Sequence, residues 1–151
     1  MSARIDHPAF VVPAAMDALQ ALSNAVRETG LSPVLVELIC LRASQINGCS
    51  VCVYGHYRAL RDLGESDDRL YGVSAWREMP FYTDAERSAL ELCEAMTRLS
   101  DRGDAVTDEV WNGAANLFDG AQLAALVLAI ANINLWNRLN AATRQPAGAT
   151  W

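Results

Sequence analysis

Residues 37–56, ELICLRASQINGCSVCVYGH, decide the predicted fold of this chain. Residues 33–46 have a helical pattern, and Asn47-Gly48 is typical of a helix end with glycine at the C′ position. A second helix is predicted from residue 49 or 50 to about residue 63. Because the turn between them is so short, the two helices are expected to form an antiparallel hairpin.

The predicted hairpin carries four chemically versatile side chains: Glu37, Cys49, Cys52 and His56. On the second helix the two cysteines and the histidine fall at i, i+3 and i+7, which is one helix face. At 1.5 Å per residue, Glu37 lies roughly 16 Å before the turn and His56 roughly 12 Å after it. The carboxylate and the imidazole are therefore expected to face each other, with Cys52 nearer the turn.

This arrangement indicates an activated thiol. An ordinary cysteine is mostly protonated at neutral pH, and only its thiolate is a nucleophile. Cys52 would lie in the first turn of its helix, where unpaired amides and the helix dipole favour an anion. His56 can accept the thiol proton, and Glu37 can hold the imidazole in one tautomer. Cys49 allows an oxidised sulfur to be captured as a disulfide.

At these residues the chain resembles the alkylhydroperoxidase D-like branch of the carboxymuconolactone decarboxylase superfamily. The matching pattern is Glu37, twelve residues to Cys49, the Cys-x-x-Cys pair and then His56. Similarity continues in the residues before the cysteines and in the segment NINLWNR at residues 132–138, so the resemblance covers roughly residues 13–144.

The resemblance implies an all-helical fold, assembly into homo-oligomers (trimers or hexamers) and thiol-dependent peroxide reduction. It assigns Cys52 as the peroxide-reacting thiol, Cys49 as the resolving thiol, and Glu37 and His56 as a proton relay. One departure is visible. The founding peroxidase has a second histidine immediately before its second cysteine, where this chain has Val51.

The expected activity is reduction of hydrogen peroxide or small organic hydroperoxides, as antioxidant defence. It would need no bound cofactor, only an external dithiol or disulfide reductase as electron donor. Two alternatives remain open. One is a lyase similar to carboxymuconolactone decarboxylase, with His56 and Glu37 as acid and base, and the other is a non-enzymatic redox-sensing oligomer.

A zinc site is a further alternative, with Cys49, Cys52, His56 and Glu37 as four ligands. Positions i, i+3 and i+7 on one rigid helix fit a tetrahedral ion poorly, and the other two cysteines form no second ligand pair. We therefore expect no bound metal at these residues.

Composition narrows the class of protein. The chain has 151 residues, 52% of them hydrophobic and 20% charged, with a net charge of −6. A net negative charge argues against binding to nucleic acid or to an anionic membrane surface, because both are themselves negatively charged. Four cysteines without a recognisable secretory signal favour a reducing cytoplasm over a disulfide scaffold.

The chain is expected to form a single helical domain at residues 13–144, between an irregular N-terminal arm (residues 1–12) and a loose C-terminal tail (residues 145–151). Pro13 is predicted to begin the first helix. Capping boxes at Thr83 and Asp119 predict later helix starts. The apolar run at residues 123–133 is too short for a transmembrane span, which needs about 20 residues, so it predicts a central or interface helix.

Several residues have structural interpretations. His7 is expected to be a surface residue of the arm, and Cys40 and Cys93 are expected to lie in the core. The polar residues Asn132, Asn134, Asn137 and Arg138 are expected to make structural hydrogen bonds or subunit contacts.

Overall fold

The helices account for all of the regular structure in residues 2–148, the part of the chain that the computed structural model describes. No strand occurs in those residues, which confirms the all-α prediction. The α-helices are α1 (Pro8–Val11), α2 (Ala15–Arg27), α3 (Pro33–Asn47), α4 (Ser50–Asp62), α5 (Asp67–Gly72), α6 (Asp84–Thr97), α7 (Asp108–Ala115) and α8 (Gly120–Thr143), with a 3₁₀ turn at Val73–Ala75.

The predicted hairpin is formed by α3 and α4, which pack against each other. The Ser32 hydroxyl accepts a hydrogen bond from the Leu35 N–H at the start of α3, and Pro33 occupies the first helical position. At its end, Gly48 adopts a left-handed conformation with φ of 68°. Such a conformation costs glycine little, which explains why the turn is Asn-Gly.

Helix α3 is the centre of the domain. It packs against α4 on one side and against α6 and α8 on the others. Apolar side chains are buried along its length, at Leu35, Leu38, Ile39, Cys40, Leu41 and Ala43. One hydrophobic cluster joins α3 to α6 and α8, and a second joins it to α4 and the segment after α5.

Helix α8 is long and apolar enough to cross a membrane by length and composition alone, with a mean hydropathy of 1.2. In the structure it packs against α2, α3, α4, α6 and α7. The capping box predicted at its start is present, since Asp119 and Gln122 exchange side-chain-to-backbone hydrogen bonds. Helix α8 thus contacts five other helices of the domain, although Leu128 and Leu135 on it remain exposed.

The N-terminal region differs from the prediction. Residues 8–11 form the short helix α1, and the next helix begins at Ala15 rather than at Pro13. His7 caps α1 by accepting a hydrogen bond from the Ala9 N–H, with Pro8 at the first helical position. Val12 is extended, as expected for a residue before proline, so Pro13 lies in the turn between two helices. The arm is therefore partly helical.

Charged residues stabilise the packing of α6 against α3 and the segment after α5. Glu94 is buried and accepts hydrogen bonds from Arg42 on α3, and from Trp76 and Arg77 in the segment after α5. Burial raises the pKa of Glu94, but these donors outweigh it, and the net pKa lies below the ordinary value. The network attaches the segment between α5 and α6 to the core.

Candidate active site

The hairpin brings Glu37 and His56 into direct contact. Glu37 lies in the second turn of α3 and His56 in the middle of α4, and Oε2 of the carboxylate is 2.7 Å from Nδ1 of the imidazole. The geometry expected from their spacing is therefore present. With Nδ1–H donating to the carboxylate, the neutral ring presents Nε2 as its basic nitrogen.

The two cysteines of the motif lie at the start of α4. Cys49 is the N-cap residue and Cys52 lies in the first turn, and their sulfurs are joined in a disulfide with Cα atoms 5.4 Å apart. Within the described part of the chain, no side chain caps this helix start. Its first amides and the helix dipole therefore favour negative charge on Cys52 once the disulfide is reduced.

A cavity of about 570 Å³ lies beside these residues. Cys52, His56 and Glu37 all line it, whereas Cys49 does not and is only 2% exposed. Much of the remaining wall is apolar and comes from α2, α3, α4, α8 and the N-terminal arm, including Phe10, Met16, Val26, Val36, Val51, Ala129, Ile133 and Trp136. Of the two cysteines in the motif, Cys52 is therefore the one whose side chain borders the cavity.

Helix α8 adds amide side chains to the cavity wall. Asn140 donates through Nδ2 to the Cys52 sulfur at 3.4 Å. Asn132 donates to Ser23 at 2.9 Å, and its buried Oδ1 has no hydrogen-bond partner within residues 2–148. Asn132 and Asn140 thus add amide groups to a cavity wall that also contains Glu37 and His56.

The other asparagines of α8 hold the hairpin turn. Asn47 donates to the Oδ1 atoms of Asn134 and Asn137 at 3.0 and 2.9 Å, and Asn137 donates to Ser44 at 3.0 Å. These bonds confirm the structural role predicted for the Asn-rich segment. Asn140 follows the same segment but was not among the residues that the sequence indicated.

His7 was predicted to be a surface residue, and the structure shows that this is wrong. It is 4% exposed and lines the cavity. Its ring packs against Trp136 and Phe10, with ring centroids 5.5 and 5.7 Å away. Burial lowers the pKa of His7, and contact with the Asn140 side chain offsets part of this effect. The ring is therefore neutral at pH 7.

Cys40 and Cys93 are buried, as predicted. Cys93 donates to the Ile39 carbonyl at 3.2 Å, and burial raises its pKa to about 12. Cys40 lines the cavity, but burial and then the charge of Glu37 raise its pKa well above the ordinary value. Neither thiol ionises readily at neutral pH.

The structure does not assemble the four residues of the zinc alternative into a ligand set. Within residues 2–148, no three side chains of the His, Cys, Asp or Glu types are grouped so that they could hold a metal ion. Nδ1 of His56 is already directed at Glu37.

Comparison with known proteins identifies the family. Residues 13–95 match the model of the carboxymuconolactone decarboxylase family. The uncharacterised protein YdfG of Bacillus subtilis is 34% identical over 132 residues, which is 87% of this chain and 88% of YdfG. The alkyl hydroperoxide reductase AhpD of Acidobacterium capsulatum is 44% identical over 45 residues, 30% of this chain and 25% of the relative.

A solved structure is similar over the full length. It belongs to a protein of unknown function from Agrobacterium tumefaciens that has been proposed to be the antioxidant defence protein AhpD. The TM-score is 0.90 at 34% identity, and the match covers 99% of this chain and 100% of that one. This chain therefore belongs to the carboxymuconolactone decarboxylase family, as an AhpD-like member with a Cys-x-x-Cys pair.

Proposed function

We propose that the protein is a thiol-dependent peroxidase that reduces hydrogen peroxide or small organic hydroperoxides in antioxidant defence. One observation carries the proposal. Cys52, which is bonded to Cys49, lines the same cavity as the hydrogen-bonded Glu37–His56 pair. Such a reaction needs a disulfide that can be reduced and formed again, a nearby base, and a cavity that can hold the substrate. The AhpD-like relatives add support.

The reaction begins with the reduced pair. His56 accepts the Cys52 thiol proton, and Glu37 stabilises the imidazolium that results. The thiolate attacks the terminal oxygen of the hydroperoxide and its O–O bond breaks. Cys52 becomes a sulfenic acid, while the leaving alkoxide takes the proton from His56 and departs as an alcohol.

Cys49 then completes the oxidation. Its sulfur attacks the Cys52 sulfur and displaces the hydroxyl group, which leaves as water with the Cys49 proton, and the disulfide forms. The position of Cys49 supports this role, because its Cα lies 5.4 Å from that of Cys52. An external dithiol or disulfide reductase reduces the bond by exchange and is itself oxidised.

Assembly and compartment form part of the same proposal. A cycle that depends on an external reductant belongs in a reducing compartment such as the cytoplasm.

The chain also exposes large apolar side chains, including Tyr71 at 70% and Leu99 at 62%, which supports a homo-oligomer, trimer or hexamer. Light scattering during size exclusion tests this, and a mass near 16 kDa at micromolar concentration would refute it.

The decisive experiment measures peroxide consumption with a dithiol reductant, using hydrogen peroxide and an alkyl hydroperoxide. Wild type should turn over, Cys52→Ser should be inactive, and Cys93→Ser serves as the matched control because that thiol lies away from the cavity. Cys49→Ser should react once and stop. Turnover that survives loss of both Cys49 and Cys52 would favour a lyase-type reaction by Glu37 and His56. Reversible oxidation without turnover would favour a redox switch.

A further inference from the structure

Helix α8 carries apolar side chains on an outward-facing stripe as well as on its buried faces. Exposed apolar residues recur along it at Ala121, Ala124, Leu128, Ala131 and Leu135. Leu128 is 45% exposed and Leu135 is 39% exposed. At 3.6 residues per turn, the five positions fall within about 80° of one another around the helix. They therefore form one continuous stripe, which we call the α8 seam.

The spacing of the α8 seam is that of a helix-pairing surface. Intervals of three and four residues in alternation are those of the a and d positions of a heptad. No charged residue occurs at positions 120–137. A helix that is apolar on all sides is normally covered on all sides, yet the rest of the described chain leaves the seam exposed.

The sizes of the side chains make the seam complementary to itself. If two α8 helices pack antiparallel about a two-fold axis between residues 129 and 130, Leu128 faces Ala131 of the second copy. In the same register, Leu135 faces Ala124 of the second copy. Both leucines of each copy then lie opposite a small side chain. A shift of one heptad places Leu128 opposite Arg138, or leaves Leu135 beyond the start of the second helix.

Charge also favours a second copy as the occupant. Each chain carries a net charge of −6, so two copies repel one another unless they meet through a surface with little charge. The α8 seam is such a surface. It is less suited to a lipid surface, because interfacial helices carry several lysines or arginines on their polar face, whereas α8 has Arg138 as its single charged residue.

We propose that the α8 seam is a two-fold interface between two copies of this chain, with the α8 helices antiparallel and each leucine packed on an alanine of the second copy. The inference rests on the assembly part of the proposed function and deepens it. A two-fold axis is present in a hexamer of three dimers and absent from a trimer. Of the two assemblies, the seam therefore selects the hexamer.

Cysteine crosslinking in the full chain tests the register. In the variant Ala124→Cys/Leu135→Cys, each new thiol faces the other new thiol of the second copy. Equal positions of the two copies lie roughly 16 Å apart along the helix axis, as do the two new thiols within one chain, and a disulfide allows a Cα separation of only about 7 Å. The single variants Ala124→Cys and Leu135→Cys are therefore matched controls.

After mild oxidation, the double variant should run as a covalent dimer on a non-reducing denaturing gel, whereas both single variants and wild type should run as single chains. The native thiols do not interfere, because Cys49 and Cys52 are bonded to each other and the other two cysteines are buried. Failure of the double variant to crosslink would overturn the proposal. Dimers of a single variant would also overturn it, since they would place equal positions together.

A second measurement is the mass in solution. Leu128→Lys inserts two charges into the proposed interface, so light scattering should give at most half of the wild-type mass. Ala141→Lys, an exposed change on α8 outside the seam, should keep the wild-type mass. Circular dichroism checks that both variants remain helical, and the crosslinking result stands without either of them.

The outcomes separate this inference from the function proposed above. A wild-type mass of one chain would refute the assembly itself, and a mass of three chains would refute the two-fold interface. An unchanged mass in Leu128→Lys would refute the seam alone. Flotation of wild type with phosphatidylcholine vesicles that Leu128→Lys abolishes would overturn the proposal in favour of a lipid surface. No peroxide enters any of these measurements, so failure of the peroxidase proposal leaves them unaffected.

Discussion

Glu37 and Glu94 are two carboxylates packed at the central helix α3, and their surroundings differ sharply. Glu94 is surrounded by donors, since Arg42, Trp76 and Arg77 reach its two oxygens at 2.6–2.9 Å. Glu37 has one titratable hydrogen-bond partner among the described residues, His56, and it borders the cavity. One carboxylate is enclosed by its partners, and the other remains next to space that a substrate can enter.

The difference between these carboxylates shows how one fold uses the same group for stability and for reactivity. A carboxylate held by several cationic and neutral donors stays ionised and fixed in position, so it serves as a fastening point. A carboxylate paired with a single imidazole at a cavity can support a change in the charge of that imidazole. We therefore expect substitutions at the two positions to separate stability from thiol reactivity.

The largest effect is expected from Glu94→Gln. Loss of the charge leaves Arg42 and the Trp76 N–H with a poorer acceptor inside the domain, and the free energy of unfolding should fall by about 3 kcal/mol. Urea unfolding followed by tryptophan fluorescence measures this change. The alkylation rate of reduced Cys52 in the folded variant should remain within about twofold of wild type, in keeping with the general independence of distant sites. A large loss of reactivity with unchanged stability would contradict the assigned roles.

The converse is expected for Glu37→Gln. The fold should tolerate this isosteric change, with a stability loss below about 1 kcal/mol at this partly exposed position. Without the carboxylate, the imidazolium that forms when His56 takes the thiol proton loses its ion-pair partner, so peroxide attack by Cys52 should slow by about 100-fold, the lower end of general acid–base contributions. Stopped-flow oxidation and the pH dependence of Cys52 alkylation measure the effect. An unchanged alkylation profile would exclude the relay.

A smaller effect is expected in acid. The pKa of Glu94 is lowered in the folded protein, so its stabilising contribution is complete above the ordinary carboxyl pKa and is lost as pH falls through the folded pKa. Between pH 5 and pH 3, wild type should lose more stability than Glu94→Gln. Some acid sensitivity should remain in the variant, because the pKa of Glu86 is also lowered, by Arg69 and Thr83 against the opposing effect of burial. Parallel curves for the two proteins would contradict this assignment.

The smallest effect is expected at the buried thiols. One equivalent of peroxide should remove two of the four thiols in a denaturing titration, with the new bond mapped to Cys49–Cys52. Cys40 and Cys93 should stay reduced because burial keeps them protonated. A disulfide mapped to Cys40 would instead assign the resolving role to that cysteine.

A small effect on stability is expected from Cys93→Ser. The free energy of unfolding should change by only about 1 kcal/mol, since a hydroxyl can also donate to the Ile39 carbonyl.

The sequence was sufficient to predict the hairpin because its signals are local. The cap at Ser32, the Asn-Gly turn and the fixed spacing of Glu37 and His56 lie within about 25 residues of one another, and helix geometry turns that spacing into contact. The capping boxes at the starts of α6 and α8 could be predicted for the same reason, because their signals are also local.

The arm could not be predicted in this way. His7 depends on Trp136 and Asn140, which lie about 130 residues away, and no periodic pattern links them. Pro8 was the available signal, since proline favours the first position of a helix, but histidine is not among the common capping residues. Asn140 likewise has its role through a contact with Cys52, 88 residues earlier in the chain.

Gly48 sets the rotational phase between α3 and α4. Its N–H and that of Cys49 bond back to the carbonyls of Gln45 and Ser44, so α4 leaves the turn in one fixed orientation. Each residue inserted into a helical path rotates the downstream side chains by about 100° and advances them by only about 1.5 Å. One extra residue here would barely lengthen the path from Glu37 to His56, yet it would point the imidazole away from the carboxylate. The length of this turn is thus constrained as tightly as the identity of the residues it aligns, while exposed loops elsewhere can accept insertions.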